Sequence, residues 1–319
     1  QRLVLFLQTM SNNTTGTTES TVSLMVAYYS LVLIVIGTLM NLLTCFILCQ
    51  SSFRDKKSKP IIHYMRTITI FDNLMLYGWN LNHYTVTVYK LNLLEYSILS
   101  CKIISFSSYF TPQVSAWLRV FVCLDRYLSS SYYHRTWLNR SKPILIIIVC
   151  IITVGFVLNS HILMFVCYRK IDGTISNYAQ SYNIYPLWDY VNLGVYDCAP
   201  FICMLTLNCG ICYHLIRLRY NSSISSFRIQ HRTITFTLII TISLFLIMTL
   251  PATIGNAFFE NANPTILHFL DAILFTYHIL SFPLYLLTFN DFRCEFIRMF
   301  KWKICNKNSS SAVAPQEIT

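Results

Sequence analysis

Long stretches of the chain run without a charge. Residues 21–53, 143–168, 198–216 and 233–259 contain no Lys, Arg, Asp or Glu. Three more stretches carry one charge each: Asp72 in 67–89, Arg119 in 103–124 and Asp271 in 261–290. A helix needs about 17–25 apolar residues to cross the hydrocarbon of a bilayer. Helices are the natural way through, because lipid offers no partner to a bare backbone group. The pattern predicts seven spans, at about 22–50, 60–84, 98–130, 142–166, 189–218, 229–257 and 264–288. A different periodicity follows the last one. Asn290 or Asp291 can cap a short helix over 290–302, with Phe292, Phe296, Met299 and Phe300 on one face and Arg293, Arg298 and Lys301 exposed. That pattern belongs to an amphipathic helix lying on a membrane surface. The expected fold is therefore an all-α membrane protein, a seven-transmembrane helix bundle with a short eighth helix. It spans 21–303, between an extracellular tail at 1–20 and a cytoplasmic tail at 304–319.

Composition agrees with the pattern. Of 319 residues 55% are hydrophobic and 12% charged, against about 25% charged in ordinary soluble domains. The net charge of +11 would suit nucleic acid, but its placement points elsewhere. Eighteen of the 24 basic residues fall in 54–66, 126–142, 217–232 and 293–307, beside alternate ends of the spans. The positive-inside bias makes those ends cytoplasmic and the N-terminus extracellular. The charge then reports topology and attraction to anionic lipid rather than nucleic acid. Asn12-Asn13-Thr14-Thr15 holds two overlapping glycosylation acceptors, Asn12 and Asn13, on the outer side. The chain begins with Gln, and either an incomplete start or initiation at Met10 would account for it. Most of the twelve cysteines lie within spans, so they read as small apolar residues rather than a disulfide scaffold.

The most specific signal lies in 101–133. Cys101 opens this stretch and Asp125-Arg126-Tyr127 closes it. The 24 residues from Lys102 to Asp125 make a helix of roughly 36 Å. A cysteine and this triplet at this spacing on one apolar helix resemble the third transmembrane helix of rhodopsin-like (class A) G-protein-coupled receptors. The resemblance extends over roughly 21–303. It implies that Asp125 restrains Arg126 at rest, and that Arg126 meets a G protein once released. In the sixth span Phe245 and Pro251 match the family, while Met248-Thr249 replaces the usual Cys-Trp pair. In the seventh, Ser281-Phe-Pro-Leu-Tyr285 is similar to Asn-Pro-x-x-Tyr, with Ser281 in place of Asn and Tyr285 retained. His231 stands where many relatives carry an acid that holds the arginine. The fourth span lacks the family's tryptophan, and Asn208 replaces a tyrosine in the fifth.

Several polar residues inside the spans gain a role from the same resemblance. Asn41, after Gly37, either makes a simple helix–helix contact or bonds toward the second and seventh spans. An intramembrane carboxylate such as Asp72 marks a functional site with a partner, and the family implies a sodium ion held by Asp72 and Ser115. Arg119 offers another partner. Asp72 lies six residues past Arg66 and Arg119 six before Asp125, so each is about 9 Å from its own cytoplasmic marker. An Asp72–Arg119 ion pair would weaken or remove the sodium site; otherwise carbonyls and hydroxyls satisfy Arg119. Cys101 is expected to pair with Cys167 across the oxidising face, with Cys198 as the alternative. Cys305 is a candidate for palmitoylation.

Ser108 stands where amine receptors carry an Asp, which argues against a monoamine. The last span lacks the lysine that retinal needs. Ser108, Asp189, Asp197, Asn256, Glu260 and Asp271 are the ligand-binding candidates, and 168–196 reads as a long, tyrosine-rich outer loop. An acidic mouth suits a basic peptide, and the overall pattern resembles invertebrate neuropeptide receptors of the FMRFamide-like kind. The implied partners are an extracellular peptide ligand, a heterotrimeric G protein, arrestin and membrane lipid, with no cofactor, at the plasma membrane. A seven-span transporter or channel is the competing class. It calls for acids along a path or an inverted repeat, neither of which is evident. An enzyme would need a nucleophile–base or metal constellation, and none of the eight histidines has zinc spacing with a glutamate.

Overall fold

The computed structural model describes residues 2–50, 61–130, 141–179, 187–221, 226–259 and 264–300; over 2–20 and 226–239 only the backbone is described. Helix α1 runs Arg2–Leu48, α2 Ile61–Met75, α3 Trp79–Tyr89 and α4 Leu93–Tyr96. Next come α5 at Ile98–Ser130 and α6 at Ser141–Phe165, then a β-hairpin of β1 Val166–Arg169 and β2 Ile175–Ala179. Helix α7, Leu187–Asn192, passes through a π-helical turn, Leu193–Cys198, into α8, Ala199–Asn221. The chain closes with α9 Ser226–Phe258, α10 Pro264–Tyr277, α11 Ser281–Thr288 and α12 Asn290–Phe300.

Three helical stretches among the described residues are long and apolar enough to cross a membrane: Thr21–Leu48, Lys142–Phe165 and Leu187–His214. A fourth joins them if Ile266–Tyr277 and Ser281–Leu287, bent by 41°, form one span. Their outward faces are greasy. Val32, Val35, Leu39 and Phe46 on α1, and Ile146, Val149, Val154 and Val157 on α6, all lie exposed. Such continuous apolar surface is stable against lipid and costly in water. The fold is that of a predominantly helical membrane protein.

The breaks in the helices have local causes. Pro283 has no N–H and its ring crowds the carbonyl four residues back, and the chain turns through 278–280 just before it. That turn leaves the His278 carbonyl available to Asn41, whose Nδ2 donates to it at 3.4 Å. Pro200 likewise removes the donor for the carbonyl of Tyr196, and the wider π turn sits immediately upstream. Between α2 and α3 the chain turns at 76–78, so the second predicted span is two helices. Prolines 112 and 251 lie inside α5 and α9, which continue through them.

The 168–196 segment departs from the loop expected there. Its start belongs to the antiparallel hairpin, pairing Tyr168 with Ser176, and residues 187–196 are helical. This hairpin is also the one departure from an all-α fold among the described residues. Cys167 on β1 forms a disulfide with Cys101 on α5, whereas Cys198 is free and exposed. The bond ties the hairpin to the start of α5 and is packed around by Ile162, Val166 and Ile175. At the opposite end of α5, the amphipathic α12 buries Phe292 against Phe282 and Tyr285 at 5.9 Å. Met299 on the same helix is exposed.

Candidate functional site

Helix α5 organises the site, because one of its faces holds the 189–195 segment at every turn. Tyr109 Oη donates to Asp189 Oδ1 at 2.9 Å, Gln113 Nε2 to Asn192 Oδ1 at 2.9 Å, and Trp117 Nε1 to the Val195 carbonyl at 3.1 Å. The four-residue spacing puts these three side chains one above another. Gln113 is itself fixed by Asn159 of α6, whose Nδ2 donates to Gln113 Oε1 at 2.8 Å.

Between this wall and α9 and α10 lies a cavity of about 320 Å³, at the lower end of the roughly 300–1,000 Å³ of small-molecule sites. Ser108, Asp189, Asn256 and Asp271 line it, which brings together four of the six ligand-binding candidates. Asn256 Nδ2 donates to Asp271 Oδ1 at 3.0 Å. Asp197 is elsewhere. It is buried and accepts from Thr249 Oγ1 at 2.6 Å, so the residue replacing part of the family's Cys-Trp pair anchors a carboxylate. Glu260 lies outside the described residues, as do Cys305 and the side chains of Asn12, Asn13 and His231. Trp79, Pro112, Asn192, Tyr196 and Thr253 also line the cavity, and nothing in their local sequence marked them.

Below the cavity is a buried polar cluster centred on Asp72. Its Oδ1 accepts from Ser115 Oγ at 2.6 Å and from His278 Nδ1 at 2.7 Å. Its Oδ2 accepts from Arg119 Nη2 at 2.6 Å and from Ser281 Oγ at 3.3 Å. Arg119 Nη1 donates to Ser115 Oγ as well, so the guanidinium bonds the same two side chains that the family resemblance assigned to sodium. Burying two charges is costly unless they are paired and hydrogen-bonded on every side, and this carboxylate has four partners. The Arg119 guanidinium carbon also lies 5.0 Å from the centre of the Tyr277 ring, within cation–π range.

His278 connects the two levels. With Nδ1–H donating to Asp72, its Nε2 can accept the proton of the Tyr196 hydroxyl, 3.1 Å away. Tyr196 in turn lines the cavity. Phe245 of α9 packs edge-on against both Tyr196 and Tyr277, at 5.7 and 5.5 Å. The sequence carried no motif for His278.

The far end of α5 carries the triplet. Arg126 Nε stands 3.9 Å from Asp125 Oδ2, an ion pair beyond hydrogen-bond reach, and that nitrogen is buried without a partner. Tyr127 packs over Gly210 of α8, where an added Cβ would fall 2.6 Å from Tyr127 Cε2. Its ring also faces His214 at 5.6 Å. No group of three or more His, Cys, Asp or Glu placed to hold a metal occurs among the described residues.

Fold and site together define a helical membrane protein with a buried charged core beneath a half-polar cavity. No protein-family model matches the chain, and no curated protein matches it.

Proposed function

We propose that the protein is a receptor of the rhodopsin-like type. In this reading seven helices cross the plasma membrane, the disulfide end faces outside, and the triplet end engages a heterotrimeric G protein. The observation that carries this reading is the continuity of α5. Ser108 and Pro112 line the cavity, Arg119 pairs with Asp72, and Arg126 stands at the other end. From Ser108 to Arg126 is about 27 Å of helix, so a single element touches ligand site, charged core and coupling end.

The ligand is a basic peptide that enters the cavity by one residue or terminus, with its positive charge held between Asp189 and Asp271. A ligand acts here by binding one arrangement of helices more tightly than another. Contact with Tyr196 bears on His278 and Phe245, and through them on the α5–α9 packing that frees Arg126. A few kcal/mol of preference is enough to move the population.

A peptide library screened for G-protein activation in cells expressing the chain tests the reading. An agonist whose signal is lost in Arg126→Ala, with binding retained, supports it. Undiminished signalling in that variant, or peptide-independent substrate flux in proteoliposomes, would count against it and favour a transporter.

A further inference from the structure

A second polar feature lies beside the cavity and takes no part in the Asp72 cluster. His83 of α3 and His268 of α10 face each other with ring centres 4.3 Å apart and planes inclined by 61°. They are 185 residues apart in the chain. Trp79, a cavity-lining residue, stacks on His83 at 4.6 Å and meets His268 edge-on at 5.7 Å.

His83 is 7% exposed, and its Nε2 is buried without a hydrogen-bond partner. One turn earlier, Asn80 is fully buried with both side-chain polar atoms unpartnered. Buried polar atoms are rarely left unmet, since each loses its water for nothing. Two of them, His83 Nε2 and Asn80 Oδ1, are electron-pair donors on one turn of α3 beside a second imidazole, a place suited to a cation.

We propose that His83 and His268 form a binding site for a divalent transition metal of the zinc class, bridging α3 and α10 beside the cavity. Neutral imidazole nitrogen suits zinc, copper and nickel, and discriminates against magnesium and calcium. An ion held by both rings at about 2.0–2.1 Å sets their centres roughly 5 Å apart, so from 4.3 Å the two rings move apart slightly to receive it. Two protein nitrogens leave coordination positions for water or for a donor atom of a cavity ligand. The site bridges two helices, so the ion stabilises their contact. It does not depend on the receptor reading, which stands or falls separately.

The full-length chain, purified in nanodiscs with its thiols blocked by N-ethylmaleimide, is titrated with Zn²⁺ and followed by thermal unfolding. Zn²⁺ raises the melting temperature of the wild type and Mg²⁺ does not. His83→Ala and His268→Gln each weaken Zn²⁺ binding by on the order of tenfold or more, and the double variant is little weaker than either alone. Cu²⁺ added to the wild type gives an electron paramagnetic resonance spectrum split by two nitrogens. That spectrum needs no variant, so a folding defect in His83→Ala leaves the question answerable. A spectrum without coupling to two nitrogens, or Zn²⁺ binding unchanged in the double variant, overturns the site.

Discussion

Arg119 on α5 holds Asp72 on α2 through a 2.6 Å charged hydrogen bond in the buried interior of the bundle. Ser115, His278 and Ser281 fill the rest of the carboxylate's shell. The pair therefore joins three parts of the bundle, and removing one partner is far worse than removing both.

Arg119→Met is expected to destabilise the protein by about 3–5 kcal/mol, because it strands a buried carboxylate. Asp72→Asn with Arg119→Met should recover most of that loss, since no charge remains to be paired. Thermal unfolding in nanodiscs reads both. Equal damage from the single and double variants would show that packing, not charge, is what Arg119 contributes.

Sodium offers a second test of the same pair. With the guanidinium bonded to both Asp72 and Ser115, replacing sodium by choline should leave the melting temperature of the wild type unchanged. Arg119→Met removes the cation from that carboxylate and should make stability sodium-dependent. A wild-type protein stabilised by sodium, with the effect abolished in Asp72→Asn, would refute occupancy of the site by Arg119.

The Cys101–Cys167 bond closes a separation of 66 residues, which by chain entropy corresponds to about 4 kcal/mol. Cys101→Ala should lower the melting temperature and remove its sensitivity to reductant. If reductant shifts the variant as much as the wild type, a different disulfide is responsible.

Gly37 on α1 marks a close helix contact. A Cβ there would fall 2.6 Å from Leu76 Cδ1 and 2.7 Å from Ile279 Cδ1, both buried. Gly37→Ala is expected to cost about 1–3 kcal/mol by overpacking. Gly194→Ala, where an added Cβ meets nothing within 4 Å, should change stability by about 0.5 kcal/mol or less. Similar melting temperatures for the two variants would count against the contact.

Asp189→Asn and Asp271→Asn should each weaken binding of the agonist from the peptide screen by roughly tenfold or more, as expected for a charge pair shielded from water. Asp197→Asn should spare binding, because Asp197 is buried against Thr249 and does not line the cavity. Competition binding on membranes distinguishes them, and an Asp197 variant that loses the most affinity would misplace the ligand.

Much of the fold was legible because lipid imposes a one-dimensional rule. A stretch such as 143–168, with no charge over 26 residues, has few stable options besides an apolar helix, and α6 takes all but its last three residues, which belong to β1. Proline alone did not mark the breaks, because helices stop near Pro200 and Pro283 yet continue through Pro112 and Pro251. The amphipathic pattern of 290–302 marked α12. The Asp72–Arg119 pairing was accessible to a depth argument, since both residues lie about 9 Å from marked helix ends.

Other features depend on helix rotation and on which neighbours meet, and no linear pattern records these. His278 and Tyr196 are ordinary residues until the turn at 278–280 and the π turn at 193–198 bring them within 3.1 Å. Asp197 and Asp189 are equivalent in composition, yet the π turn sends one to Thr249 and leaves the other on the cavity. His83 and His268 meet only when α3 packs against α10. Residue type and spacing determined that these segments are helices and which of their residues carry charge. The three-dimensional packing decided which charges meet, because side-chain contact depends on the rotation and tilt of each helix against its neighbours.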